Sequence, residues 1–281
     1  MTILHVIVLA VVQGLTEFLP ISSTAHLYLF PWLLGWPDGG LAFDAALHAG
    51  TLIAVLFYFL RTWIALVLNG LGVHFPADAN QDSVDSNRRV FWLLVLGTIP
   101  AGVIGLAFQH AIETWLRGPI PIAVALISVG LLMGAADSTF SLSRTMKDIN
   151  LGDAGTIGVA QAAALFPGVS RSGITIMAGL ARRLTRETAA EFSFLLSTPV
   201  IAAAALVEIP KILRMKQSGQ MEISGEALML GIAVSALVGY FVIAFFLRYL
   251  QTRTLKIFVV YRVAFGIVIL LLAFLYRGAA R

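Results

Sequence analysis

Gln13 and Glu17 stand four residues apart, and Pro20, Ser22, Ser23 and His26 follow them. Residues four apart share one face of a helix. Proline then ends that helix, and a serine just past it is placed to cap the next one. A serine and a histidine one turn apart could form a nucleophile–base pair; they could equally be a helix cap and a core histidine. A second group has the same outline: Gln161, then Pro167-Gly168, Ser170, Arg171, Ser172 and Thr175. A helix N-terminus with an arginine beside it suits phosphate, because free N–H groups and a bidentate fork both match phosphoryl oxygens. The other reading of this group is a capped helix start whose arginine reaches for the surface. Brought together, the two groups supply one carboxylate, a Ser/His pair, an arginine and two helix N-termini. That set suits phosphoryl transfer, in which catalysis is mostly positioning and charge stabilisation.

The segments that carry these residues are apolar. Of 281 residues, 59% are hydrophobic and 12% charged, against about 25% charged in soluble domains; mean hydropathy is +0.90. With several apolar runs of about 20 residues, the class is an all-α polytopic membrane protein. The short alternating segments of a β-barrel are absent. There are no cysteines, so disulfides, thiolate metal sites and cysteine nucleophiles are excluded. The net charge of +4 lies mostly in loops and reads as orientation and contact with membrane lipids, not nucleic-acid binding. No basic stretch precedes the first apolar segment, which is therefore expected to stay in the mature protein. Polar groups at membrane depth are by default functional.

Six full transmembrane helices are expected: Phe43 to Arg61, Val90 to Gln109, Ile120 to Ser138, Thr188 to Glu208, Ala227 to Leu250 and Lys256 to Tyr276. Two further regions, Ile3 to Trp36 and Ala154 to Leu184, are broken at Pro20 and at Pro167-Gly168. Each half is short for a span, so two re-entrant helical hairpins are expected. Irregular backbone at depth is tolerated where protein or a wet cavity surrounds it. Asn69 to Arg89 reads as a solvated loop. The chain forms a single membrane domain of two halves, about 1–140 and 150–281, each a hairpin followed by three spans. Three is odd, so the halves form an inverted-topology repeat, a plan that places polar sites where broken helices meet. Lysines and arginines number eleven on the side opposite the N-terminus and six on its own side. That bias puts both termini outside, with the first hairpin entering from outside and the second from the cytoplasm.

With its Gln13-x-x-x-Glu17, Pro20-x-Ser22-Ser23-x-x-His26 and Pro167-Gly168-x-Ser170-Arg171-Ser172-x-x-Thr175 motifs, the chain resembles the bacitracin-resistance type of undecaprenyl pyrophosphate phosphatase over essentially its whole length. The resemblance implies a bacterial inner-membrane enzyme that hydrolyses undecaprenyl diphosphate to undecaprenyl phosphate, the carrier lipid for peptidoglycan. Bacitracin binds the diphosphate, so activity implies resistance. A divalent cation, Mg²⁺ or Ca²⁺, is implied as cofactor, with Glu17 its ligand, and a homodimer is within the expectation. Carried over, Glu17, Ser23, His26 and Arg171 are the catalytic residues, while Gln13, Ser22, Ser170, Ser172 and Thr175 bind substrate. Many family members have glutamate where this chain has Gln13. A neutral amide cannot be a general base, so Glu17 carries more of the acid–base or metal role, while Ser23 is expected to attack or to orient water and His26 to shuttle the proton.

Asp44 and His48, four apart, read as the interfacial start of a span, with a supporting place in the site as the other account. Glu191, Glu208 and Arg262 read as structural. A transporter or flippase with the same inverted plan is the alternative function. The acid-phosphatase-like membrane class needs a histidine late in the chain, and none follows His110.

Overall fold

The computed structural model describes the backbone of residues 1–74, 81–115, 118–217 and 223–279. It is built of helices: α1 (Ile3–Phe18), α2 (Ser23–Leu34), α3 (Gly40–Tyr58), α4 (Leu60–Gly70), α5 (Gln81–Trp115), α6 (Pro119–Thr139), α7 (Leu151–Ala163), α8 (Arg171–Ala181), α9 (Arg186–Gln217), α10 (Gly225–Leu250) and α11 (Lys256–Ala279). Among the described residues the one extended pairing is an isolated bridge between Arg144 and Leu184. Within α5, α6, α9, α10 and α11, five segments are long and apolar enough to cross a membrane.

The sixth expected span differs. It is a bent pair, α3 and α4, meeting at 78° around Phe59. The helix breaks after Tyr58, and α4 turns away with Ala65, Leu66, Asn69 and Gly70 buried. The expected loop up to Arg89 is also shorter: α5 begins at Gln81, and Gln81 Nε2 donates to Asp85 one turn on at 3.2 Å. A polar start lets a spanning helix project beyond the apolar layer. The stretch 75–80 of that loop lies outside the described residues.

Both broken regions are hairpins whose arms return to one side. In the first, His5 near the start of α1 stacks on Trp36 beyond α2, with ring centroids 4.3 Å apart. In the second, Asp153 in the first turn of α7 accepts from Arg182 Nε, just after α8, at 2.7 Å. Arg144 completes that clasp on the same carboxylate.

The two halves interleave: α1 packs on α10, α7 on α5, α6 on α11 and α3 on α9. Close approach depends on small residues at four-residue spacing, as in membrane helix pairs generally. On α10 these are Gly231, Ser235 and Gly239, set against α1 and α3. On α5, Gly97 lies against the backbone of Gly158 in α7 so closely that a Cβ at Gly158 would overlap it.

Candidate active site

The same backbone move shapes both hairpin tips. Ser22, before α2, has φ 76° and ψ 96°. Ser170, before α8, has φ 72° and ψ 112°. Positive φ is unfavourable for a residue with a Cβ, costs about 1–3 kcal/mol, and clusters at functional sites. Each serine caps the helix it precedes. Ser22 Oγ accepts from the Ala25 N–H at 3.4 Å, and Ser170 Oγ from the Gly173 N–H at 3.1 Å. The tips also touch: Ser172 Oγ donates to the Leu19 carbonyl at 3.1 Å.

Arg262 of α11 lies fully buried behind both tips. It donates to the Pro20 carbonyl at 3.2 Å, to Gly168 at 2.9 Å and to Val169 at 3.1 Å, and its Nε donates to Leu126 of α6 at 3.1 Å. Tip carbonyls freed from helical bonding must find donors at depth, and one guanidinium serves both hairpins.

Glu17 is the centre of the polar cluster and is itself buried. Its Oε1 accepts from Arg171 at 2.7 Å. Its Oε2 accepts from Ser23 Oγ at 2.5 Å and from Gln13 Nε2 at 3.2 Å. Arg171 also donates to the Ser193 carbonyl of α9 at 3.3 Å. Residues 154 positions apart in sequence thus form one ion pair at the meeting of the two hairpins.

A fourth partner comes from α3: His48 Nε2 lies 3.3 Å from Glu17 Oε2. Its Nδ1 donates to the Asp44 carbonyl at 2.7 Å. Sequence reading favoured an interfacial role for this pair; the structure sets His48 against the site carboxylate. The signal was present in the i, i+4 spacing of two polar residues within an apolar stretch.

His26 is placed differently from a partner of Ser23. Its Nδ1 donates to the Ser22 carbonyl at 2.7 Å, and its Nε2 lies 2.6 Å from the Tyr261 hydroxyl. The ring stacks on Phe265 at 5.0 Å and 16°. Both ring nitrogens are engaged away from Ser23, whose hydroxyl turns to Glu17 instead.

A cavity of about 320 Å³ opens beside the cluster. Of the expected residues, Glu17, Ser22, Ser23, Ser170 and Arg171 line it; Gln13, His26, Ser172 and Thr175 do not. Thr175 Oγ1 is engaged by the Arg171 carbonyl at 2.6 Å and by Ser193 Oγ at 2.6 Å, fastening α8 to α9. Asp44, His48, Gln161 and Glu208 join the lining.

These side chains do not make a cation cage by themselves. A hard divalent ion takes six or more oxygens, whereas both oxygens of Glu17 already accept from protein donors. Among the described residues no three His, Cys, Asp or Glu converge on a point.

The chain is similar to known proteins over nearly its full length. The family model "Bacitracin resistance protein BacA" matches residues 6–268. The undecaprenyl-diphosphatase of Moorella thermoacetica is 45% identical over 277 residues, 99% of this chain and 100% of that one. That of Pelotomaculum thermopropionicum is 44% identical over 276 residues, 97% of each chain. That of Geobacter metallireducens is 45% identical over 272 residues, 96% of this chain and 98% of that one. With the family model matched over residues 6–268 and relatives 44–45% identical over nearly their full length, the chain belongs to the bacitracin resistance protein BacA family.

Proposed function

We propose that this protein is an undecaprenyl-diphosphatase, a membrane hydrolase that converts undecaprenyl diphosphate and water to undecaprenyl phosphate and inorganic phosphate. It thereby recycles carrier lipid for cell-wall synthesis and confers bacitracin resistance. The observation that carries this reading is the Arg171–Glu17–Ser23 chain of contacts on the wall of one cavity. Arg171 is held by Glu17. An arriving diphosphate offers the guanidinium a planar pair of acceptors, and its transfer to phosphate leaves Glu17 free to take a proton. Ser23 Oγ, already hydrogen-bonded to Glu17, either attacks the terminal phosphorus or orients the water that does. Trapping labelled phosphate on Ser23 distinguishes the two. The N-termini of α2 and α8 add partial positive charge at the tips. His26, bonded to Ser22 and Tyr261, braces the first tip. Glu17 takes the proton of whichever attacks, the Ser23 hydroxyl or the water, as undecaprenyl phosphate leaves; after serine attack, water hydrolyses the phosphoserine to inorganic phosphate.

Finer points belong to the same proposal. The halves, about 1–140 and 150–281, are inverted repeats, which the paired contacts of α1 with α10 and α7 with α5 support. The protein sits in the bacterial inner membrane with its termini outside. Asp44 lies near the start of α3 and Glu208 at the end of the apolar part of α9; both are on the side of the N-terminus, so the cavity faces outward. A divalent cation, Mg²⁺ or Ca²⁺, belongs to the same proposal: Glu17 is the residue that would hold it together with substrate oxygens, and it would offset the charge on the phosphates. Assembly as a homodimer is tested by sedimentation in detergent.

Purified protein in detergent is expected to release phosphate from undecaprenyl diphosphate, more slowly with chelator and restored by Mg²⁺. A flippase releases none, so absence of release with excess Mg²⁺ would overturn the hydrolase reading.

A further inference from the structure

Gln161 is a residue that the reaction just described leaves unused. It lies on α7, is only 2% exposed, and lines the cavity together with Glu17, Ser23 and Arg171. Among the described residues neither its Nε2 nor its Oε1 has a hydrogen-bond partner. Buried polar side chains are nearly always partnered, and an unpaired one is destabilising. Gln161 leaves both ends of its amide open.

The first hairpin shows why. Gln13 stands nine positions before the strained Ser22, as Gln161 stands nine before the strained Ser170. Gln13 has an acceptor one turn on, donating through Nε2 to Glu17 at 3.2 Å. At the matching place after Gln161 the chain has Leu165, which accepts nothing. The second hairpin therefore keeps the amide without the carboxylate that satisfies it, and the amide meets the cavity where Arg171 and the start of α8 also meet it.

We propose that Gln161 is a substrate-binding residue whose Nε2 donates to a non-bridging oxygen of the lipid diphosphate. The inference deepens the hydrolase reading and rests on it. Phosphate oxygens at neutral pH chiefly accept, so an amide N–H₂ suits them where a carboxylate would repel them. The diphosphate supplies the acceptor that Glu17 supplies to Gln13.

The test is Gln161→Leu, close in volume and without donors, in full-length protein with undecaprenyl diphosphate in detergent micelles. KM is expected to rise about tenfold or more, the usual scale for a lost hydrogen bond to a charged group, with kcat changed less. Thermal unfolding should occur at the wild-type temperature or above it, because a buried unpaired amide has been removed. Gln161→Glu should raise KM further. A KM for Gln161→Leu within twofold of wild type overturns the proposal. So does a clear fall in Tm or a failure to fold, since either assigns the amide a structural partner. Phosphate release by wild-type protein in the same assay checks the underlying reading separately.

Discussion

In the proposed reaction Arg171 exchanges one partner, Glu17, for another, the diphosphate. The carboxylate of Glu17 holds the guanidinium at 2.7 Å until a diphosphate competes for it. Arg171→Ala is expected to lower kcat/KM by about 100-fold or more, the scale of losing a charge-stabilising donor. Tm should hold within a few degrees, because Glu17 keeps Ser23, Gln13 and His48 as partners. Arg171→Lys should recover only part of the loss, since an ammonium lacks the planar fork. Near wild-type turnover in either variant would break the assignment. His48→Ala is expected to lower kcat about tenfold while leaving KM within about threefold, as one of the groups orienting Glu17 is lost; an unchanged kcat would show that the 3.3 Å contact is incidental. Glu17, Ser23 and Arg171 were legible in the sequence because each sits beside a proline break in an otherwise apolar segment, where polarity needs a reason. His48 was visible as a polar residue in a span, but its partner was not, because that contact joins helices α3 and α1 and no local spacing encodes it. The same holds for His26: Ser-x-x-His fixes one helical turn, yet Tyr261 and Phe265, far along the chain, decide which way the ring faces.

At the scale of elements, the hairpin tips are the costly part of the fold, and Arg262 holds them. Four carbonyls from α6 and both tips accept from this one buried side chain within 3.2 Å. Arg262→Met keeps much of the volume and removes every donor. Leaving several buried carbonyls unpaired is expected to destabilise the protein by at least about 3 kcal/mol, seen as a marked fall in Tm in detergent. Arg262→Lys should be intermediate, because three donors on one nitrogen cannot reach carbonyls spread around a guanidinium plane. Equal Tm values for wild type and Arg262→Met would mean that the tips are stabilised by other contacts. The hairpins themselves were legible, since Pro20 and Pro167-Gly168 mark their breaks directly. The bend at Phe59 was not: no proline or glycine stands there, and the turn of α4 reflects which of its faces finds a neighbour. The early start of α5 was obscured because polar residues in an exposed helical extension resemble those of a loop.

At the scale of the molecule, neither half could stand alone. α1 closes against α10 and α7 against α5, so each hairpin is seated in the opposite half, and the ion pair between Arg171 and Glu17 forms where the halves meet. The two hairpin tips meet beside one cavity, and the proposed orientation has it open outward. Ala204 lies on the cavity wall in the later part of α9 and is exposed, whereas Lys147 is exposed in the connection between the halves. If the spans alternate as their order requires, these positions face opposite sides. The chain has no cysteine, so Ala204→Cys and Lys147→Cys each give a single thiol without further engineering. A membrane-impermeant maleimide added to intact spheroplasts is expected to label Ala204→Cys and to spare Lys147→Cys until the membrane is permeabilised. Undecaprenyl diphosphate should slow labelling at Ala204→Cys, because the reagent and the lipid diphosphate compete for one opening. Labelling of Lys147→Cys first would reverse the orientation and direct the cavity to the cytoplasm. Labelling of Ala204→Cys that substrate leaves unchanged would separate the cavity from the lipid's path, and with it the claim that this carboxylate, this arginine and this serine meet the diphosphate together.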